Sequence, residues 1–420
     1  MKRSYFFILV IITLVYIPAR GQEKNVFKLN ASLGIHWDGL YPTPDDVRVN
    51  QAHLKSVSIS DLLPRDENAI TAMIVGNDNR LYGATSGKKS HLFVYDKIEN
   101  KVTHLGRIGK NPAVYHSMVI CEEGDIFIGT TRWTDPSQVK VTTKFPGGWS
   151  QSEEVINQPD YAGGHLYIYK TKSDYKHVDV NASAKLIDLG IPVKGEGIYN
   201  LTYDPKFNRV YGLTIPSGIA FCYDIQTSLT ISFGPTTIAN YLPPYTFVSR
   251  SLVAVNGNIY GSGFHGELFK IEGDSKKLIK NTGMVLPCLK GREFLNVADI
   301  MLSTDSTFIG GSSEGYIFSC DPATGTVNNF GRAYRENRIR GMVKGEDGTY
   351  YLVAGQPDGF CQLFSFCQKT YSFESFGLIE DVAGKWLGYQ FDSMAVDNDG
   401  TIYIGENSTK SHLYIYTPKL

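Results

Sequence analysis

Apolar and polar positions alternate in short bursts along most of this chain, and the bursts recur. The stretch "AVYHSMVICEEGDIFIGTTR" (residues 113–132) shows the unit: an apolar run, a turn of acidic residues and glycine, then a second apolar run ending near glycine. That alternation around a turn predicts a β-hairpin. Six further copies follow the same plan. They are "AITAMIVGNDNRLYGATS" from Ala69, "GIYNLTYDPKFNRVYGLT" from Gly197, "FVSRSLVAVNGNIYGSG" from Phe247, "NVADIMLSTDSTFIGGS" from Asn296, "NRIRGMVKGEDGTYYLVAG" from Asn337 and "YQFDSMAVDNDGTIYIGEN" from Tyr389. A third strand follows each copy, from "HLFVYD" in the first to "HLYIYT" in the last. A fourth and weaker strand follows most of them, as in "KVTHLGRI", "KLIDLGI" and "YSFESFGLI". Four short antiparallel strands recurring at roughly 45 to 60 residues are the pattern of a β-propeller blade. The expected architecture is therefore all-β, a seven-bladed β-propeller with almost no helix. The last copy stops after its third strand, so its fourth is expected from the N-terminal segment around "NVFKLNASL" (residues 25–33). Such an exchange would close the ring and hide two sheet edges.

The chain opens "MKRSYFFILVIITLVYIPARGQ", with Lys2 and Arg3 ahead of an apolar run and small residues at Ala19 and Gly21. This predicts a signal peptide over residues 1–21, since the run is short for a membrane span. Residues 22–420 would then form a single propeller domain, secreted or periplasmic, with a long insertion at 133–164 in the second blade. The formal charge is -1 with both signs mixed along the sequence, which offers no basic patch for nucleic acid. No later segment is apolar for long enough to enter a membrane, and a monomer is expected. The six cysteines show no CxxC pair and are expected to be buried free thiols. His116, His165 and Cys121 are loosely spaced and make no recognisable metal set, so no metal and no cofactor is expected. "DNDG" at residues 397–400 falls on a hairpin and is read as turn chemistry.

Aligning the seven copies on the first strand gives one residue per blade at the position of His116: Thr71, His116, Tyr199, Arg250, Ala298, Arg340 and Asp392. The first strand of each blade should line the central channel, and alternation across a strand should point these positions the same way. All but Ala298 are polar or ionisable, and their characters differ from blade to blade. Packing alone would favour similar apolar residues. His116, Tyr199 and Arg250 come from consecutive blades and form one arc. His265 in "GSGFHGEL" lies on a connection opening on the same mouth, and the two tryptophans of the 133–164 insertion can wall a sugar there. Arg340 and Asp392, from neighbouring blades, are expected either to pair or to contact substrate.

Only one carboxylate in this set, Asp392, argues against a two-carboxylate glycosidase. Histidine, tyrosine and arginine suit removal of a proton next to a carboxylate. A guanidinium neutralises the carboxylate bidentately, histidine acts as base near neutrality, and tyrosine protonates the departing oxygen or exchanges roles with it. Seven blades, an exported chain of this size and the His116/Tyr199/Arg250 arc resemble the propeller polysaccharide lyases that cleave ulvan, a rhamnose- and uronate-containing glycan. The resemblance implies catalytic roles for His116, Tyr199 and Arg250; by their place at the same mouth, His265, Arg340 and Asp392 are expected to touch substrate. The chain is also similar to exported propellers of Bacteroidetes that remove α-L-rhamnose capping glucuronate. That resemblance implies instead a single histidine on the opposite face, with His53 in "NQAHLKS" and His36 in "GIHWDGLYP" as candidates. A non-catalytic glycan-binding propeller is the third reading, because the fold implies no activity.

Overall fold

The computed structural model describes residues 46–132, 160–171, 185–236, 248–293, 296–335, 337–355 and 360–418, all within the unit Asp46–Leu420. Those residues form seven four-stranded antiparallel sheets and one two-stranded ribbon, Glu380–Asp381 with Trp386–Leu387. The seven repeats are seven blades. Blade 1 runs Ala69–Val75, Leu81–Ser86, His91–Asp96 and Lys101–Arg107, and each of blades 2 to 6 repeats this order.

Burial follows the sequence pattern strand by strand. In blade 1 the second strand, "LYGATS", is buried throughout and the third almost throughout, whereas the fourth is largely exposed. Blades stack face to face, so inner strands are covered on both sides and read as continuous apolar runs, while outer strands meet water. Seven apolar clusters fill the seven blade-to-blade interfaces. One joins Leu81, Phe93 and Tyr95 of blade 1 to Tyr403, Leu413 and Ile415 of blade 7. Another joins Val353 and Leu363 of blade 6 to Ile404 and Tyr414 of blade 7. The ring is therefore closed through the core as well as through backbone. Inner strands also pack through a repeated device: Gly83, Gly212, Gly261 and Gly310 lie opposite Phe93, Phe221, Phe269 and Phe318, and the ring covers the bare backbone. A Cβ at Gly212 would sit 2.4 Å from the Phe221 ring.

Closure departs from the expected detail. The outermost strand of blade 7 is Leu54–Ser58, "LKSVS", paired antiparallel with His412–Tyr416. The segment expected there, residues 25–33, lies outside the described residues, as do residues 1–21 and His36. "LKSVS" alternates weakly because it is an edge strand, which hides it among turn-like neighbours in the sequence. Just before it, Arg48 bridges Leu378 at the end of blade 6 and its side chain pairs with Glu380. All six cysteines are free; Cys121, Cys222, Cys320 and Cys361 are buried, and Cys288 and Cys367 are half-buried. The 397–400 turn is held by Asp397, whose carboxylate accepts from the Thr401 and Asp399 amides (2.9 and 3.0 Å), from Tyr403 Oη (2.8 Å) and from Lys97 Nζ of blade 1 (2.7 Å). Among the described residues no helix is long and apolar enough to cross a membrane.

Candidate active site

Each innermost strand begins with an irregularity, and that irregularity builds the site. In blades 1, 3, 5, 6 and 7 the pairing with the second strand skips one residue: Thr71, Tyr199, Asp299, Arg340 and Asp392. A bulge of this kind bends the strand and re-aims the extra side chain. In blades 2 and 4 the equivalent residues, His116 and Arg250, stand just ahead of the shorter strands Met118–Ile120 and Val253–Val255. His116 holds a left-handed backbone (φ 50) and donates its amide to the Thr71 carbonyl at 3.2 Å, which ties blade 2 to blade 1.

The blade 5 position is a correction. Met301 faces Gly310 as Met73 faces Gly83, so the residue matching Thr71 is Asp299 and not Ala298. That hairpin is shortened at its turn rather than at the strand start. Ala298 is buried in an apolar cluster and Asp299 takes its place in the ring.

A cavity of about 280 Å³ occupies the channel, lined from all seven blades. His116, Arg250, Arg340 and Asp392 line it, together with Asn200. Two strand positions further, about 7 Å deeper, Met73, Met118, Met301, Met342 and Met394 line it with Leu201 and Leu252. The cavity is thus charged on one level and apolar on the next.

Charges in the upper level are paired across blades. Asp299 accepts from Arg250 Nη1 (2.6 Å) on one oxygen and from Arg338 Nε (2.7 Å) on the other. Arg340 Nη1 donates to Asp392 at 2.9 Å and its Nε to the Gly355 carbonyl at 3.3 Å. Asp392 also accepts from Gln390 Nε2 (3.2 Å) and from Asn407 Nδ2. Arg340 and Asp392 therefore do pair, as one of the two expectations held. Among the described residues three guanidiniums share two carboxylates, which leaves one positive charge over. Arg338, which holds a left-handed backbone (φ 79), feels that surplus: burial, Arg250 and Arg340 together push its pKa down against Asp299. Burial opposes charge on Arg250 too, but Tyr199, Asp299 and Tyr115 outweigh it and raise its pKa. Burial pushes His116 down to about 4, reinforced by Arg250 and Arg338 and opposed by Asp392 and Asp299. Its imidazole is consequently neutral at pH 7.

Of the expected arc, His116 and Arg250 meet at the cavity and Tyr199 does not face it. Tyr199 is 2 % exposed, stacked on Tyr115 with ring centres 5.3 Å apart and planes 2° apart. Tyr115 in turn meets the His116 ring edge-on at 4.3 Å. Bulge geometry explains the difference, because the extra residue can turn toward the core instead of the channel. Thr71 likewise turns away, bonding Ser86 Oγ (2.6 Å) and the Val114 carbonyl. His265 is exposed on the turn Phe264–Gly266 and is not among the cavity-lining side chains. His53 precedes the closing strand at the end of the propeller opposite the charged level, where its carbonyl accepts from the Thr417 amide at 2.9 Å. Most of the 133–164 insertion lies outside the described residues. At its two ends Arg132 lies 6.0 Å from the centre of the Tyr161 ring.

Three contributors escaped the sequence reading. Asp299 was displaced by one position. Arg338 precedes the aligned position by two, so period two was the available signal. Asn200 directly follows Tyr199 and is among the cavity-lining residues; its Nδ2 donates to the Ser249 carbonyl (2.7 Å), and its Oδ1 is buried without a hydrogen-bond partner.

The chain matches no protein-family model and no curated protein sequence. Its similarities are to solved structures. It superposes on a streptogramin B lyase with a TM-score of 0.60 at 10% identity, covering 87% of this chain and 98% of that one. The WD40 β-propeller domain of Doa1 gives 0.55 at 10% identity, over 85% and 95%. The extracellular domain of a hybrid two component system from B. thetaiotaomicron gives 0.55 at 14% identity, over 88% of this chain but only 40% of that one. At these identities the likeness concerns the propeller fold.

Proposed function

We propose that this propeller is an exported polysaccharide lyase acting on a uronate-bearing, rhamnose-containing glycan, with the sugar acid seated at the charged level of the channel. The observation that supports it is the uneven count of charges: Arg250, Arg338 and Arg340 against Asp299 and Asp392, beside a neutral imidazole. An incoming carboxylate supplies the missing negative charge, and guanidinium forks suit it. Neutralising that carboxylate acidifies the C5 hydrogen.

In the proposed step His116 takes the C5 proton, the C5–H electrons form the C4=C5 double bond, and the C4–O4 bond breaks. The departing oxygen receives a proton, so the products are an unsaturated uronate and a free hydroxyl, with no oxidant or cofactor consumed. With Tyr199 behind the cavity wall, the returning proton falls to the His116 imidazolium, and Tyr199 acts as a positioning residue for His116 through Tyr115. The methionine level below receives apolar parts of the sugar.

Incubation with ulvan and other uronate polymers tests this through the ultraviolet absorbance of the unsaturated product. Absorbance that grows with wild type and is lost in His116→Ala supports the reading. Release of free rhamnose without absorbance, unchanged in His116→Ala, moves the chemistry to the face that carries His53. Binding without any product in either protein leaves a glycan-binding propeller.

A further inference from the structure

A second constellation stands apart from the channel, on the outer half of blade 1. His91 opens the third strand and His104 lies in the fourth. Phe93 pairs with His104, and side chains two apart on a strand share a face, so the two histidines are diagonal neighbours on the same side of the sheet. His91 Nδ1 and His104 Nε2 are 3.1 Å apart, with ring centres at 5.0 Å and planes inclined at 62°.

What fixes the inner ring is a buried carboxylate. Glu67 Oε2 lies 2.9 Å from His91 Nε2, and Glu67 Oε1 is 3.6 Å from Lys89 Nζ. The backbone at both ends is tied as well: Thr85 Oγ1 donates to the Glu67 carbonyl (2.8 Å) and accepts from the His91 amide (3.2 Å). A carboxylate on Nε2 keeps the proton there and turns the Nδ1 lone pair toward His104. Carboxylate, histidine and a second ring nitrogen turned outward, here at hydrogen-bond distance from His104, form the outer-shell arrangement that orients metal-binding histidines. The outer ring, His104, is exposed, so the approach is open.

We propose that His91 and His104 form a two-nitrogen site for a borderline divalent transition-metal ion of the zinc, nickel or copper(II) class, oriented by Glu67. With metal–nitrogen bonds of about 2.0–2.1 Å, nitrogens this far apart subtend roughly 98° at the ion, between octahedral and tetrahedral angles. Among the described residues no third histidine, cysteine or carboxylate joins them. The remaining positions therefore belong to water or an incoming ligand, and the ion is exchangeable rather than structural.

Other blades supply internal controls. His165 and His412 occupy the strand position of His91 in blades 2 and 7, and each also meets a carboxylate. There the contact uses Nδ1, to Asp188 (2.9 Å) and to Glu406 (3.3 Å), and among the described residues no second histidine is paired with it. Among the described residues only blade 1 presents Nδ1 outward to a partner imidazole.

Isothermal titration of the protein with Zn2+ and Ni2+ decides the matter. One site is expected in wild type and in His412→Ala, lost in His104→Ala, and weakened about 10–100-fold in Glu67→Gln. Because His104 is exposed, His104→Ala is expected to keep the wild-type circular dichroism spectrum and thermal midpoint. No metal uptake by wild type, or affinity within twofold of wild type in a folded His104→Ala, overturns the proposal. Equal loss in His412→Ala overturns it too.

Discussion

Removing His116 should make the protein less sensitive to acid, and the size of the effect follows from its surroundings. Burial, with Arg250 and Arg338, holds the imidazole down to about 4, against an ordinary value of 6.5. Between those two values the unfolded chain binds a proton that the native protein refuses. Stability from this group is thus complete above pH 6.5, declines as pH falls toward 4, and changes no further below it. A gap of about 2.5 units at ~1.36 kcal/mol each gives a limiting loss near 3.4 kcal/mol, of which about 3 kcal/mol falls between pH 7 and pH 4. Urea denaturation at half-unit steps over that range measures it. His104, also lowered, adds a term of the same sign. Comparison with His116→Gln cancels it, since the variant keeps His104. The depressed carboxylates Asp299, Asp397 and Glu67 act mainly below pH 4.5, outside most of this window. Wild type should lose about 3 kcal/mol more than His116→Gln on going from pH 7 to 4. Parallel losses in the two proteins would falsify the claim that the imidazole is held neutral inside the channel.

Asp299→Asn leaves Arg250 and Arg338 facing each other without a charge between them, and should cost about 3–5 kcal/mol in urea. The double variant Asp299→Asn/Arg338→Gln should regain a large part of that loss; no recovery would mean that the carboxylate acts otherwise than by compensating charge. Gly212→Ala drives a methyl into the Phe221 ring and should lower stability by about 1–3 kcal/mol, read from the thermal midpoint, with an unchanged midpoint refuting the contact argument.

The local pattern of this chain determined its strands, hairpins and blade count, because alternation, turn residues and repetition are properties of neighbours in sequence. The same repetition located His116, Arg250, Arg340 and Asp392 at one level of one channel. Tertiary structure decided the rest. Leu54–Ser58 closes the ring because it pairs with His412–Tyr416, a contact across most of the chain that a weakly alternating edge strand does not advertise. Bulges chose Asp299 over Ala298 and sent Tyr199 into the core, since one extra residue in a strand reverses which face a side chain meets. Arg338 joined the ion network because Asp299 arrives from the adjacent blade, and His91 met His104 because two strands lie side by side. Periodicity fixes where a side chain can point; only the packing of distant strands sets what it meets there.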